Sequence, residues 1–273
     1  MSAGLRNLMA AGAVAAIASS LAVESAQAQA QPDLERQLSE LEAALEGRDV
    51  AVDVRRRAGI AAVPSGFGLS GNTFSLSLSA SYGPEGPPRA AAGNRTNASS
   101  ALAFGFGNAE TLGVEVGVVN TSTRDFGGSG YFSVGVNRQF SYDGGIGSVS
   151  ATASNLGGWG EAEDNEVTGT VAASFVFSLN DRPAMATIGA TSGGGAAGTR
   201  NEGPGIIAGF GIGVARDWSV SAGVVGESPV VGVSYFPAAL EGASVNASLR
   251  DFDRGNDAVI GLDIGYAFNL FGQ

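Results

Sequence analysis

Hydrophobic and polar residues alternate along many short segments of this 273-residue chain. The last segment shows the pattern most clearly. Even positions of residues 258–270 are all apolar, whereas odd positions of residues 261–269 are Gly, Asp, Ala or Asn. Successive side chains of a strand point to opposite faces, so a period of two predicts strands with one apolar face and one small or polar face.

Twelve segments with this alternation follow residue 66, and no helical pattern interrupts them. Most have the roughly 9–11 residues that a tilted strand needs to cross a bilayer. Because strand boundaries are the least certain part of such a pattern, ten and fourteen strands stay open as alternatives. The predicted strands are 73–82, 99–107, 111–120, 131–140, 146–155, 166–179, 184–191, 205–215, 218–225, 230–236, 243–250 and 258–271.

Connections between these segments alternate between long and short. The long set is 83–98, 121–130, 156–165 and 192–204, followed by the shorter 226–229 and 251–257; each of the others has two to six residues. Outer-membrane barrels have short periplasmic turns and longer outer loops, and a Greek-key sandwich has no reason to alternate in this way. The pattern predicts an all-β fold, a transmembrane up-and-down antiparallel β-barrel of about 12 strands.

Aromatic residues support this interpretation. Tyr82, Phe140, Trp218, Tyr235 and Phe268 lie near predicted strand ends on the apolar phase. Aromatic girdles occupy these positions at the two membrane interfaces.

Composition also fits a lipid-facing surface and excludes several chemistries. Charged residues make up 15% of the chain, against about 25% in a soluble domain. There is no cysteine, histidine or lysine, which rules out disulfides, a P-loop lysine, a Ser-His-Asp triad and histidine-ligated zinc. We therefore predict no enzyme and no cofactor. The net charge of −11 does not favour nucleic acid as a partner.

The N-terminal region divides into two parts before the barrel at 66–273. Residues 1–28 have the features of a secretory signal peptide: Arg6, an apolar stretch over residues 8–23 and an Ala-Gln-Ala site at 26–28. Export and an outer-membrane location follow. Residues 29–65 form the second part, expected to be a short helix and a periplasmic or lumen-plugging segment.

Within this second part, leucines at 34, 38, 41 and 45 predict an amphipathic helix over 33–47. Residues 55–57 are all arginine. They form either a solvated turn or an anchor against acidic groups, and a solvated turn is the expectation.

A twelve-stranded barrel has a backbone radius of roughly 12 Å, so its lumen holds water or another segment. The inward phase is mostly Ser, Thr, Gly and Ala. Its larger polar members, the candidate lumen-facing residues, are Glu115, Asn137, Gln139, Asn246, Arg250 and Asp263.

The long connections hold ten acidic residues and five arginines, which predicts a weak cation preference. Two acidic clusters, at 161–164 and 251–257, are expected to be solvated loops; calcium binding is the alternative, but neither has a complete calcium motif.

The final strand resembles the assembly signal of bacterial outer-membrane β-barrel proteins. The matching residues are Asp263, Gly265, Phe268 and Leu270, a polar residue and a glycine followed by alternating hydrophobics. The resemblance implies insertion into the outer-membrane lipid bilayer by the barrel-assembly machinery. A homo-oligomer is left open.

We therefore predict a passive porin-like channel for small hydrophilic solutes. A structural or surface-binding barrel plugged by its N-terminal segment is one alternative. Another is a barrel like the autotransporter translocator, without a passenger domain.

Overall fold

The computed structural model describes residues 59–83, 96–123, 126–193, 203–253 and 258–270. The predicted signal peptide at 1–28 and helix at 33–47 lie outside these residues. Twelve strands are present, as predicted. They are β1 Thr73–Tyr82, β2 Thr96–Asn108, β3 Leu112–Asn120, β4 Gly130–Tyr142, β5 Gly145–Trp159, β6 Thr168–Leu179, β7 Arg182–Thr191, β8 Gly205–Ala215, β9 Trp218–Val225, β10 Ser228–Tyr235, β11 Ala243–Arg250 and β12 Val259–Asn269.

The strands form one closed antiparallel barrel in which each strand pairs with its neighbours in sequence. β1 closes the barrel against β12, in register from Thr73 opposite Asn269 to Tyr82 opposite Ile260. Closure leaves no strand edge, so every strand finds its hydrogen-bond partners inside the sheet. The predicted up-and-down barrel is therefore confirmed. Among the described residues, no helix has the length and apolar character to span a bilayer.

The period of two separates the two faces of the barrel. On the outward phase Leu76, Leu78 and Ile264 are 42%, 49% and 49% exposed, while Ser75 and Ser77 on the inward phase are buried. The other outward positions are also mostly apolar and exposed. Large continuous apolar surface is unfavourable in water and is what a membrane-embedded barrel presents to lipid.

The two ends of the barrel differ. We call the end with connections 109–111, 143–144, 180–181, 216–217 and 236–242 the short-turn end, and β1 begins there. The opposite, long-loop end carries 83–95, 121–129, 160–167, 192–204, 226–227 and 251–258. The β9–β10 connection has two residues instead of the predicted four, because Ser228 and Pro229 pair with Val225 and Val224.

One strand extends well beyond its predicted end. β5 continues to Trp159, and its pairing with β4 shifts register twice, between Gly130 and Phe132 and between Phe132 and Val134. Such bulges break the alternation of side chains, which explains why the sequence pattern stops at residue 155.

Outward aromatic pairs gather near the short-turn end. Trp218 packs on Tyr235 with ring centroids 4.6 Å apart, and Phe74 on Phe268 at 5.4 Å. Of the five aromatics named from the sequence, Tyr82 alone lies at the long-loop end. The girdle is thus strongest where the turns are short.

Candidate functional site in the barrel lumen

The six candidate lumen residues all lie in strands and are buried. They form two groups on different parts of the wall. Glu115 of β3 and Asn137 and Gln139 of β4 make one group, on neighbouring strands. Asn246 and Arg250 of β11 and Asp263 of β12 make the other, with Asn246 directly opposite Asp263.

Between the two groups runs a stretch of chain that is not part of the sheet. Residues 59–70, which we call the inner segment, precede β1 and contain no strand, yet eleven of the twelve are buried. They lie against the inward faces of the barrel strands. The predicted domain boundary between residues 65 and 66 falls within the inner segment, and the first strand begins at Thr73, as predicted.

The inner segment starts on β9. The backbone N–H of Gly59 donates to Oγ of Ser219 at 3.2 Å, and that of Ala61 donates to Oγ of Ser221 at 3.1 Å. Ser219 is the second residue of β9. The inner segment therefore begins close to the short-turn end.

Its middle part lies on β5 and β6. The N–H of Gly66 donates to Oγ of Ser174 at 2.7 Å, and Oγ of Ser148 donates to the carbonyl oxygen of Gly66 at 2.7 Å. Ser150 donates similarly to the carbonyl of Ser65 at 3.1 Å. Wall hydroxyls thus satisfy the backbone groups of a buried, non-strand chain, as buried polar groups require.

Its last part lies on β3 and β4. The N–H of Leu69 donates to Oε2 of Glu115 at 2.9 Å, and Nδ2 of Asn137 donates to the carbonyl of Leu69 at 3.0 Å. β1 begins four residues later, at Thr73. The inner segment therefore runs around the interior from β9 to β3, with both ends near the short-turn end.

Glycines in the wall make this close approach possible. A Cβ added at Gly232 of β10 would lie 2.5 Å from Cβ of Ala61, and one at Gly209 of β8 would lie 3.0 Å from Cγ2 of Ile60. Side chains at these positions would push the inner segment off the wall.

A cluster of apolar side chains also holds the inner segment against the barrel wall. It joins four side chains of the inner segment to five inward side chains of β5 and β7–β10. The members are Ile60, Ala62, Val63, Phe67, Ile146, Met185, Ile207, Val225 and Val230.

On the other side of the lumen, β11, β12 and β1 present polar side chains that are also buried. Asn246 is 2% exposed, Asp263 1% and Ser77 3%. A lumen open to water at this level would leave them accessible. Towards the long-loop end, Ser79, Ser81 and Asn97 are partly exposed. Other inward residues at that end, such as Thr191 and Arg250, are buried.

The inner segment was not predicted from the sequence in this form, although one signal was present. Residues 59–70 carry no charged side chain. An uncharged, non-alternating stretch directly before the first strand of a barrel is a candidate for burial in the lumen.

The remaining candidates are placed as follows. In the assembly-signal set, Asp263 and Gly265 face inward, Phe268 faces outward and Leu270 follows β12. Within the described ranges, no three acidic side chains come together as metal ligands. Residues 254–257 of the second acidic loop fall outside those ranges.

An even number of antiparallel strands, closed into a cylinder with an apolar outer band and short turns at one end, defines a transmembrane β-barrel of the outer-membrane type. The chain belongs to this class of fold. No protein-family model and no curated protein sequence matches it.

Among solved structures, the chain is similar to a mutant of the Rhodopseudomonas blastica porin at 13% identity and a TM-score of 0.34, over 62% of this chain and 55% of the porin. It therefore spans little more than half the length of that porin. Omp33, an outer membrane protein of Acinetobacter baumannii, matches at 12% identity and a TM-score of 0.42, over 72% and 98% of the two chains. An outer membrane channel from Pseudomonas putida matches at 10% and 0.43, over 73% and 96%. Likenesses of this level say nothing about what passes through the barrel.

Proposed function

We propose that this protein is a porin-like channel of the bacterial outer membrane for small hydrophilic solutes, and that the inner segment closes it in the conformation described. One observation carries the proposal. The inner segment is docked on the wall through hydroxyl, amide and carboxylate side chains, and it does not pair with the sheet as a strand.

A docked segment can leave without unfolding the barrel. Each of its hydrogen bonds contributes about 1 kcal/mol net, and water can replace the inner segment at Ser148, Ser174 and Ser219. The sheet itself is closed without the inner segment. An open state with a hydrated polar wall is therefore accessible to this fold.

The wall also suits hydrophilic solutes. Serines and glycines dominate the inward phase, and the buried charged residues within the strands are Glu115, Asp263 and Arg250. Two acids and one arginine favour cations weakly, in the same direction as the acidic long loops. We expect a small preference for cations over anions.

A permanently plugged structural or surface-binding barrel is the second candidate. The apolar cluster favours it, because full burial of Ile60, Val63 and Phe67 contributes roughly 1.5–3 kcal/mol for each side chain. A translocator-like barrel without a passenger would also keep a segment in its lumen. We assign no catalysis to the chain, which has no histidine, lysine or cysteine.

Delivery to the outer membrane is part of the proposal. Residues 1–28 would direct export and be removed, and β12 would be recognised by the barrel-assembly machinery. Phe268 supports this role for β12, since it is outward, 38% exposed and packed on Phe74 where the barrel closes.

Conductance in planar bilayers tests the proposal. The chain without residues 1–28 is compared with a chain that also lacks 29–70, and folding of each is judged by heat-modifiable gel mobility. A Ser174→Ala, Glu115→Ala double variant of the longer chain provides a second way of loosening the inner segment. We expect little conductance from the longer chain, more from the double variant and steady conductance from the shorter chain.

Two outcomes would overturn the proposal. If neither chain conducts although both are folded, the barrel is not a channel, because removing the inner segment opens no path through it. If the longer chain conducts as well as the shorter one, the inner segment does not close the lumen. An anion-selective reversal potential would refute the cation preference alone.

A further inference from the structure

Serine hydroxyls on the lumen wall fall into two groups. Those of the first group are hydrogen-bonded to the backbone of the inner segment, and they are Ser148, Ser150, Ser174, Ser219 and Ser221. Those of the second group have no hydrogen-bond partner within the residues that the structure describes, although each is at most 5% exposed. They are Ser77, Ser234, Ser244 and Ser248. The two groups have the same chemistry, but the inner segment supplies hydrogen bonds only to the first.

The unpaired hydroxyls lie on both sides of β12. Their positions are Ser77 on β1, Ser244 and Ser248 on β11, and Ser234 on β10. Ser77 and Ser244 are both opposite Gly265 of β12, one from each side, so they are about 10 Å apart across it. Asn246, opposite Ser234, adds a buried amide between them. We call the four serines and Asn246 the hydroxyl patch.

The wall at the hydroxyl patch carries one charged side chain of each sign. Asp263 is the inward residue of β12 between Gly261 and Gly265, and Arg250 is the last residue of β11. Nη2 of Arg250 is 2.9 Å from the position that a Cβ on Gly261 would take, so the guanidinium lies over β12 beside Asp263. The two charges offset each other, and this part of the wall has no net charge to attract an ionic ligand.

The hydroxyl patch therefore has the chemistry of a site for a neutral polar ligand. A buried hydroxyl without a partner is unfavourable, so four of them in one patch indicate a surface that receives its hydrogen bonds from a bound molecule. Each serine hydroxyl can both donate and accept, and so can each hydroxyl of a sugar or cyclitol. Gly265 has no side chain, which leaves room for a ring between Ser77 and Ser244.

We propose that the hydroxyl patch binds neutral polyhydroxylated solutes of about monosaccharide size. The biological role of such a site rests on the channel function proposed above, because it names the class of solute that the channel would carry. Binding itself does not require conduction. The ligand enters from the long-loop end along β1 and β2, where Ser79, Ser81 and Asn97 are partly exposed.

Saturation-transfer NMR with myo-inositol tests the site in the folded full chain. A Ser77→Ala, Ser244→Ala double variant removes two hydroxyls next to Gly265 and adds no bulk. Ser133→Ala is the matched control, because Ser133 of β4 is also buried and unpaired but lies outside the hydroxyl patch. We expect the dissociation constant for myo-inositol to rise about tenfold or more in the double variant, through loss of two hydrogen bonds, and to stay unchanged in Ser133→Ala. Asn246→Ala should weaken binding independently.

Three outcomes would overturn the proposal. One is equal binding to the full chain and the double variant, and another is an equal loss of binding in Ser133→Ala. The third is absence of myo-inositol binding to the folded full chain, which would mean that water alone satisfies the hydroxyls. Glucosamine tests the ligand class, since this cationic sugar should bind several-fold more weakly; binding as tight as that of glucose would refute a neutral site.

Conductance separates this site from the channel function. If myo-inositol binds as expected but the chain without residues 1–70 does not conduct, the site is supported and the channel is refuted. If that chain conducts and myo-inositol does not bind to the full chain, the site alone is refuted.

Discussion

The backbone N–H of Leu69 donates to Oε2 of Glu115 at 2.9 Å, inside a barrel where Glu115 is 6% exposed. The acceptor is a carboxylate on β3 and the donor belongs to a chain that is not part of the sheet. A buried hydrogen bond contributes about 1 kcal/mol net, and removing one partner costs about 1–3 kcal/mol because the other is left unsatisfied. This contact therefore anchors the end of the inner segment next to β1.

Removing this acceptor should loosen the inner segment. In Glu115→Ala we expect cleavage by chymotrypsin after Phe67 to become at least about tenfold faster, since a loss of 1.4 kcal/mol corresponds to a factor of ten. Glu115→Gln keeps an acceptor oxygen and should have a smaller effect. Gln139→Ala, another buried inward position, is the control and should leave the cleavage rate unchanged. A similar rate in all four proteins would show that Glu115 does not anchor the inner segment.

Filling a wall glycine should displace the inner segment by a different route. In Gly209→Val the new side chain meets Ile60 and Val63, whose Cγ atoms lie 3.0 and 3.1 Å from the position of the Cβ. Overpacking of this kind costs about 1–3 kcal/mol. We expect faster cleavage after Phe67. Gly135→Val is the matched control, because the three atoms nearest to a Cβ at Gly135 all belong to Thr152 of the barrel wall. Equal cleavage rates in the two variants would count against the close packing at Gly209.

Much of the fold can be predicted from the sequence because lipid and water impose opposite demands on alternate residues. Leu76 and Ser77 illustrate this. The alternation of the sequence is enough to place Leu76 on the outward face and Ser77 on the inward face, and the pairing of β1 with β12 agrees with that placement. The alternation fails where the backbone is bulged. Asn155 adopts a φ of 58° within β5, and the strand continues past it to Trp159.

The closure of the lumen could not be predicted in the same way. The alternation of the sequence places Ser219 and Glu115 on the inward face of the barrel. It does not predict which part of the chain fills the lumen next to them. Their partners in the inner segment are backbone N–H groups, 160 residues away for Ser219 and 46 for Glu115. Backbone N–H donors are present at every residue except proline. The composition and periodicity of the sequence therefore do not indicate which N–H groups bind the barrel wall.

The contact between Phe74 and Phe268 leads to a prediction about assembly. Their rings lie 5.4 Å apart across the strand pair that closes the barrel, near the short-turn end. In Phe268→Ala we expect a reduced fraction of heat-modifiable, folded protein in the outer membrane, through loss of this pair and of the assembly signal. Phe210→Ala, an outward aromatic on β8 away from the closing pair, is the control. Phe74→Ala separates the two causes, since it removes the ring contact but leaves β12 intact.

The outward face at Ile264 gives the sharpest test of membrane insertion. Ile264 is the sixth of eleven residues in β12, pairs with Leu78 and Val245, and is 49% exposed. An arginine at a lipid-facing site near mid-membrane costs roughly 2–4 kcal/mol. We expect Ile264→Arg to lower the free energy of unfolding in lipid vesicles by that amount. Phe126→Arg, in the long loop between β3 and β4 where Phe126 is 77% exposed, is the control and should change little. If both substitutions are tolerated equally, the outward face of β12 does not contact lipid.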